Sequence, residues 1–232
     1  MTIRLALRGG SSLINGKLFY VGRHGYIIFE LEEMKMMIDR MLAIINEEAS
    51  SAEVRFRAQY EAVSDPDDPS LDIARDQLWI SQNMIPRNLI NSLFTSLFAL
   101  FENEMIMVCE LMGRKAGGAK DFANFKNGIG LSRVHNYLLS NFNVNISVYS
   151  KWQEVRGIKD LRNMIVHNNG QLKNRDISAA TRVSTYIGAS ASLSVDDAQN
   201  IVIDKSYFSH VDKILRAFIE ELFSELESKQ LI

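Results

Sequence analysis

The scarcity of proline limits the possible folds of this sequence more than any other feature. The 232 residues contain only Pro66, Pro69 and Pro86, all within one short stretch. Proline removes a backbone hydrogen-bond donor and stops or kinks a helix, so the chain on both sides of this stretch is open to long helices. Because 47% of the residues are hydrophobic, the chain can also bury a sizeable core. We therefore predict an all-α fold.

The first long helix is predicted to run from about Gly25 to Val63. Apolar side chains recur in it at alternating spacings of four and three, which gives one apolar stripe: Ile27, Leu31, Met34, Ile38, Met41 and Ile45. Such a helix is longer than a compact domain needs, so we expect it to run past the core or to pair with another chain. A second long helical region is predicted from Ser70 to Met112, with a kink or a break at Pro86.

The predicted domain organisation has two parts. Residues 1–25 are expected to form an extended segment or a hairpin, because Asn15-Gly16 favours a tight two-residue turn. Residues 26–232 are expected to form a single helical domain. Within it, residues 183–204 are predicted to be a small β-hairpin insertion, since apolar residues alternate or cluster there as in short strands. A last helix is predicted from Ser206 to Lys229.

The charges of this chain are unevenly distributed. Residues 111–182 hold 12 of the 26 Lys and Arg but only 4 of the 28 Asp and Glu, so the middle is basic and both ends are acidic. This asymmetry favours an anionic partner for the basic part, although the acidic ends could instead lie against it and neutralise it. Residues 113–130 are predicted to be a flexible basic loop rich in glycine.

One predicted helix carries the residues best suited to chemistry. It is expected to begin after Ser150 as the N-cap and to end at Asn169-Gly170, and it contains Arg162, Asn163 and His167. Asn163 and His167 are four residues apart and share a helix face. Arg162 lies about 140° round the helix from His167, at about 100° per residue, so its side chain must curl back to reach the histidine.

The segment Leu161-Arg162-Asn163, followed by Val166-His167-Asn168-Asn169-Gly170, resembles the signature of HEPN domains. That signature is an arginine, a polar residue, three further residues and a histidine. The resemblance covers this helix closely, and the long helices before it agree in kind. It implies a HEPN-like helical bundle with long N-terminal helices. It also implies a homodimer, because the two motifs of HEPN proteins meet at a dimer interface.

The resemblance further implies a metal-independent endoribonuclease, since many HEPN proteins cleave RNA in toxin–antitoxin, phage-defence or RNA-processing systems. Histidine titrates near neutral pH and suits an acid or base role, and arginine binds phosphate oxygens through its forked guanidinium. The catalytic candidates are therefore Arg162, His167 and Asn163. The RNA-binding candidates are the nearby cations Arg156, Lys159, Lys173 and Arg175. We expect neither a metal nor another cofactor.

Other interpretations of the same residues remain open. Arg162 could pair with Asp160, Glu154 or a distant carboxylate, and His167 could be only a capping residue. The chain could then be a non-catalytic helical dimer that binds a protein or a nucleotide. The other three histidines are expected to have ordinary surface or packing roles: His24, His135 and His210.

The expected location is the cytoplasm, with no membrane contact. Residues 1–16 have no long apolar core and no small-residue cleavage site, so they do not resemble a signal peptide. The most apolar stretch, Leu89–Met112, is interrupted by polar residues, which favours a core helix over a membrane span. An antitoxin or another regulatory protein is a further expected partner.

Overall fold

Seven α-helices and one small hairpin account for most of residues 16–65, 68–117, 121–172 and 177–231, which the computed structural model describes. The helices are α1 (Gly16–Ala62), α2 (Pro69–Trp79), α3 (Ile85–Lys115), α4 (Leu131–Phe142), α5 (Trp152–Asn168), α6 (Ile177–Gly188) and α7 (Ser206–Ser228). Strands β1 (Leu193–Val195) and β2 (Ile201–Ile203) lie between α6 and α7. The predicted all-α class is confirmed. The division into domains and the assignment to HEPN bundles stay predictions.

Helix α1 begins nine residues earlier than predicted. The expected extended segment or hairpin over residues 1–25 is wrong for residues 16–25, which are helical, while residues 1–15 lie outside the described residues. Tertiary contacts explain the difference: Arg23 forms an ion pair with the buried Glu104, and the His24 ring lies 4.7 Å from the Phe223 ring. These contacts on α3 and α7 stabilise the helix over the local turn preference.

The two ends of α1 have different neighbours. Its 47 residues span about 70 Å at 1.5 Å per residue. Five side chains of the predicted apolar stripe and its surroundings are buried: Ile27, Leu31, Ile38, Leu42 and Ile45. Arg216 of α7 donates to Glu32 at 2.8 Å and so ties this part to α7. The later part of α1 lies against α2, so the helix extends well past the side chains that anchor it in the core.

Helix α3 forms the centre of the core. Phe94, Phe98 and Phe101 are all 0% exposed, as their position on a strongly apolar face predicts. Pro86 lies in the first turn of α3, and the π-helical turn Ile80–Met84 separates α3 from α2. The predicted interruption at Pro86 is therefore confirmed.

The stretch Pro69–Lys115 is also long and apolar enough to cross a membrane by length and composition. Its most apolar window has a mean hydropathy of 1.3, and half of that window is buried inside the fold. A core helix passes the same test, so the cytoplasmic location stays a prediction.

The hairpin is hydrogen-bonded to the residues that end α5. β1 and β2 pair antiparallel, with Leu193 opposite Ile203, and the N–H of Ile201 donates to the carbonyl of Gly170 at 2.7 Å. The predicted hairpin is confirmed at 193–195 and 201–203. Its predicted start at residue 183 is wrong, because Val183 and Ile187 form the buried face of α6.

The contact between α5 and α6 depends on Gly157. A Cβ atom at Gly157 would lie 2.3 Å from Cδ2 of Tyr186, whose hydroxyl is hydrogen-bonded to that of Tyr207 at 2.8 Å. We expect Gly157→Val to lower the free energy of unfolding by about 1–3 kcal/mol, because the larger side chain forces α6 away. Urea unfolding measures this. The matched control is Gly25→Val on α1, where a Cβ meets nothing within 4 Å; equal effects of the two changes would contradict the prediction.

Candidate active site

Helix α5 is held by one apolar face. The predicted apolar side is buried: Trp152, Val155, Ile158, Leu161 and Ile165. The predicted N-cap is wrong by one residue, since Lys151 occupies that position. Ser150 instead donates its N–H and its hydroxyl to Glu221 of α7, both at 3.0 Å. The Ser150 hydroxyl is therefore directed to α7, and among the described hydrogen bonds it accepts no N–H from the first turn of α5, as an N-cap would.

The end of α5 is fixed as the sequence predicts. Asn169 is the C-cap with a left-handed backbone at φ 52°, and Gly170 follows at φ 74°. The N–H of Gly170 donates back to the carbonyl of Met164 at 3.4 Å, and that of Leu172 donates to the Gln199 carbonyl at 2.9 Å. The last turn of α5, which carries His167, is thus tied to the hairpin.

Arg162 is directed toward Asn163. Its Nη1 donates to Oδ1 of Asn163 at 3.0 Å, and its Nε is buried with no hydrogen-bond partner among the described residues. In the described ranges no carboxylate forms an ion pair with Arg162. Asp160 pairs with Arg182 at 3.1 Å and Glu154 pairs with Lys151 at 2.7 Å. The interpretation that Arg162 pairs with Asp160 or Glu154 is therefore wrong.

His167 is exposed in the last turn of α5. It forms no hydrogen bond and no ion pair with the residues that the structure describes. Asn163 lies one turn earlier on the same face and is half-buried. The Arg162–Asn163 hydrogen bond therefore turns the guanidinium toward the side of the helix that carries the imidazole, as the predicted site requires.

Two of the four predicted RNA-binding cations can be placed. Arg156 is exposed, and its spacing of seven and eleven residues puts it on the face of Asn163 and His167. Lys159 donates to the Ser132 hydroxyl at 3.2 Å and so lies toward α4. Lys173 and Arg175 lie outside the described residues. The placed cations extend the candidate site along α5 toward its N-terminus.

A polar groove of about 650 Å³ lies between α3 and α5. Uncharged polar side chains form most of its lining: Asn88, Asn91, Ser92, Thr95, Asn169, Gln171 and Asn200. Ile165 and Val166 add an apolar surface, and Arg87 contributes the cation. At about 100° per residue, Arg162 lies between Ile165 and Val166 in angle and one turn before them. The groove is therefore next to the candidate site.

Sequence reasoning missed this groove. Four of its polar residues follow helical spacing on the otherwise apolar α3: Asn88, Asn91, Ser92 and Thr95. That stripe is the signal that could have identified it. The side-chain amides of Asn88, Asn91 and Asn169 have no hydrogen-bond partner in the described part of the chain. They are available to a ligand.

The remaining histidines each lie near a polar side chain, and the ordinary roles predicted for them stay predictions. Nε2 of His135 lies 3.2 Å from Oδ1 of Asn145. His24 lies in α1 rather than in a turn, with Nε2 3.2 Å from Glu220, and His210 lies 3.8 Å from Glu154. Among the four histidines, His167 alone has no such neighbour among the described residues.

No protein-family model, curated protein or solved structure matches this chain.

Proposed function

We propose that this protein is a metal-independent endoribonuclease of the HEPN type that acts as a homodimer in the cytoplasm. One observation carries the proposal: Arg162 is not paired with a described carboxylate and is hydrogen-bonded to Asn163, one turn before the exposed His167. A surface that leaves a guanidinium and an imidazole available together suits a phosphate ester. A toxin or phage-defence role, restrained by a partner protein, belongs to the same proposal.

The proposed reaction uses the hydroxyl next to each phosphate of RNA. A neutral His167 removes the proton of the 2′-hydroxyl, and the oxygen attacks phosphorus. The new bond joins O2′ to phosphorus while the bond from phosphorus to O5′ breaks. A protonated imidazole gives its proton to O5′, which leaves a 2′,3′-cyclic phosphate and a 5′-hydroxyl. Arg162 stabilises the charge on the phosphate oxygens, and Asn163 orients Arg162.

The proposed reaction needs two imidazoles, one as base and one as acid, yet each chain offers one at the site. A two-fold dimer supplies the second, because it repeats every residue of the site across the axis. The exposure of His167 and Arg156 leaves this face of α5 open to such a contact. The composite site is part of the proposal.

The groove between α3 and α5 is the proposed position of one RNA base. A base presents two apolar faces and a polar edge, which match Val166 and the amides of Asn91 and Asn169. Its phosphate would then lie within one helical turn of Arg162. The Arg87 side chain, 4.0 Å from Asp196 at the rim, adds a cation for the backbone of the strand.

We expect Asn91→Leu to weaken binding of single-stranded RNA about tenfold, because it removes one hydrogen-bonding edge and leaves a base edge unpaired. Fluorescence anisotropy with labelled RNA measures binding, in a His167→Ala background that prevents cleavage. Asn103→Leu is the matched control, since Asn103 is an exposed asparagine on α3 outside the groove. Equal affinities of the two variants would remove the groove from the proposal.

Labelled single-stranded RNA, incubated with the purified protein with and without a chelator, tests the activity itself. Equal cleavage in both samples supports the proposal. Absence of cleavage in both contradicts it.

A second candidate function is a non-catalytic helical dimer that binds a protein or a nucleotide. The large apolar side chains exposed along α1 favour it, because a solvated helix gains nothing from them. In this case, substitutions at Arg162 and His167 change association or stability but no turnover.

A further inference from the structure

Helix α1 exposes a stripe of large side chains on the face that points away from the core. Tyr26, Phe29, Met36, Met37 and Ile44 are between 39% and 57% exposed. At about 100° per residue, this outer stripe lies roughly 150° round the helix from the buried residues, which extend from Ile27 to Ile45. A partner can therefore approach it without meeting the rest of the described residues.

Two opposite charges lie within the same outer stripe. Glu33 and Arg40 are exposed, are seven residues apart, and form no ion pair with any residue in the described ranges. Some other exposed charges on α1 do pair, namely Arg55 with Glu48 at 2.7 Å and Arg57 with Glu53. The outer stripe thus combines unpaired charges of both signs with exposed apolar side chains.

We infer that the outer stripe is a two-fold contact in which two copies of α1 lie antiparallel, centred between Met36 and Met37. This contact is separate from the proposed contact on α5, because the outer stripe points away from the core against which α5 packs. In that register Phe29 lies opposite Ile44 of the second copy, and Glu33 lies opposite Arg40. Met36 meets Met37 at the axis. Each contact occurs twice, so Phe29, Met36, Met37 and Ile44 all meet apolar side chains and both charges meet their opposite, while Tyr26 lies opposite Glu47 at each end.

Charge selects this arrangement over a parallel one. A parallel pair in register places Glu33 against Glu33 and Arg40 against Arg40, which is repulsive at both positions. The stripe positions from Tyr26 to Glu47 recur at spacings of three or four residues, as in helices packed along a seam, and the stretch is about 33 Å long at 1.5 Å per residue. Because the stripe is complementary to a second, antiparallel copy of itself, the partner is a second copy of this chain. The inference does not rest on ribonuclease activity.

Charge reversal tests the register. We expect the wild-type protein to associate through this contact, and Glu33→Arg or Arg40→Glu alone to raise the dissociation constant of the contact roughly tenfold or more, as measured by sedimentation. The double variant E33R/R40E should return to wild-type affinity, because both pairs are restored with the charges exchanged. Glu61→Arg is the matched control on an exposed part of α1 outside the stripe, and circular dichroism checks the helix content of each variant. A monomeric wild-type protein, or a double variant no better than the single ones, would overturn the inference.

Cross-linking tests the antiparallel direction. Cys109 is the only cysteine and is buried, so Phe29→Cys and Ile44→Cys each add a single reactive thiol. A short bismaleimide should join the two variants when they are mixed and should leave each one alone as uncross-linked chains. Efficient cross-linking of the Phe29→Cys variant with itself would mean a different arrangement and reject this one.

Discussion

Replacement of His167 by alanine should abolish RNA cleavage while leaving the fold intact. We expect the rate to fall by about 10²–10⁴-fold, the usual contribution of a general acid or base. His167 is exposed and makes no hydrogen bond to the described residues, so its removal should change the free energy of unfolding by less than about 0.5 kcal/mol. Cleavage of labelled RNA and thermal unfolding of the same sample measure the two quantities.

His210→Ala is the matched control, because His210 is also partly exposed and lies on α7 away from the site. It should cut RNA at the wild-type rate. Arg162→Lys separates charge from shape: it keeps one positive charge but loses the fork that donates to Asn163. We expect it to be far less active than wild type. Wild-type rates for both the His167→Ala and the Arg162→Ala variant would exclude the proposed mechanism.

Replacement of Arg23 by alanine should destabilise the fold by about 3–5 kcal/mol at neutral pH, because it leaves a buried carboxylate without a partner. The Arg23 and Glu104 side chains are only 16% and 6% exposed, and they link α1 to α3. Burial holds the pKa of Glu104 above its usual value, and Arg23 opposes that effect. Urea unfolding of the two proteins measures the loss.

The loss should be smaller near pH 5 than near pH 7. Without Arg23, burial raises the pKa of Glu104 further above its value in the unfolded chain. A carboxyl with a raised folded pKa favours the folded state at low pH and loses that contribution as the pH rises through the folded pKa. Arg23→Met with Glu104→Leu should recover most of the stability, since an apolar pair needs no charge. A uniform loss below about 1 kcal/mol would mean that the ion pair acts like an exposed one.

The elements that the sequence predicted best are those in which one pattern dominates. The apolar faces of α3 and α5 contain few residues that favour another structure. Asn169-Gly170 ends α5 in the left-handed backbone conformation that is common at helix C-termini. The strands 193–195 and 201–203 were also predicted, because short β-branched and apolar runs flank a turn. Arg162, Asn163 and His167 could be proposed as a site from residue type and spacing alone.

The wrong predictions concern segments whose conformation depends on contacts with residues far away in the sequence. Asn15-Gly16 favours a turn, but Arg23 forms an ion pair with Glu104, 81 residues away. This contact stabilises the helix in which Arg23 lies. Ser150 is a good N-cap by type, yet its hydroxyl donates to Glu221 of α7 and Lys151 is the N-cap residue. The polar groove combines side chains from α3, α5 and the hairpin, and no single segment contains enough of it to be recognised. These contacts depend on tertiary packing and not on local preference.

The chemical identity of the cut ends tests the proposed ribonuclease most directly. Wild-type protein is incubated with a defined single-stranded RNA and excess chelator, and the masses of the products are measured by mass spectrometry. We expect fragments that end in a 2′,3′-cyclic phosphate and begin with a 5′-hydroxyl, formed equally well without metal. Intact RNA, or fragments with a 3′-hydroxyl that form only when metal is added, would contradict it.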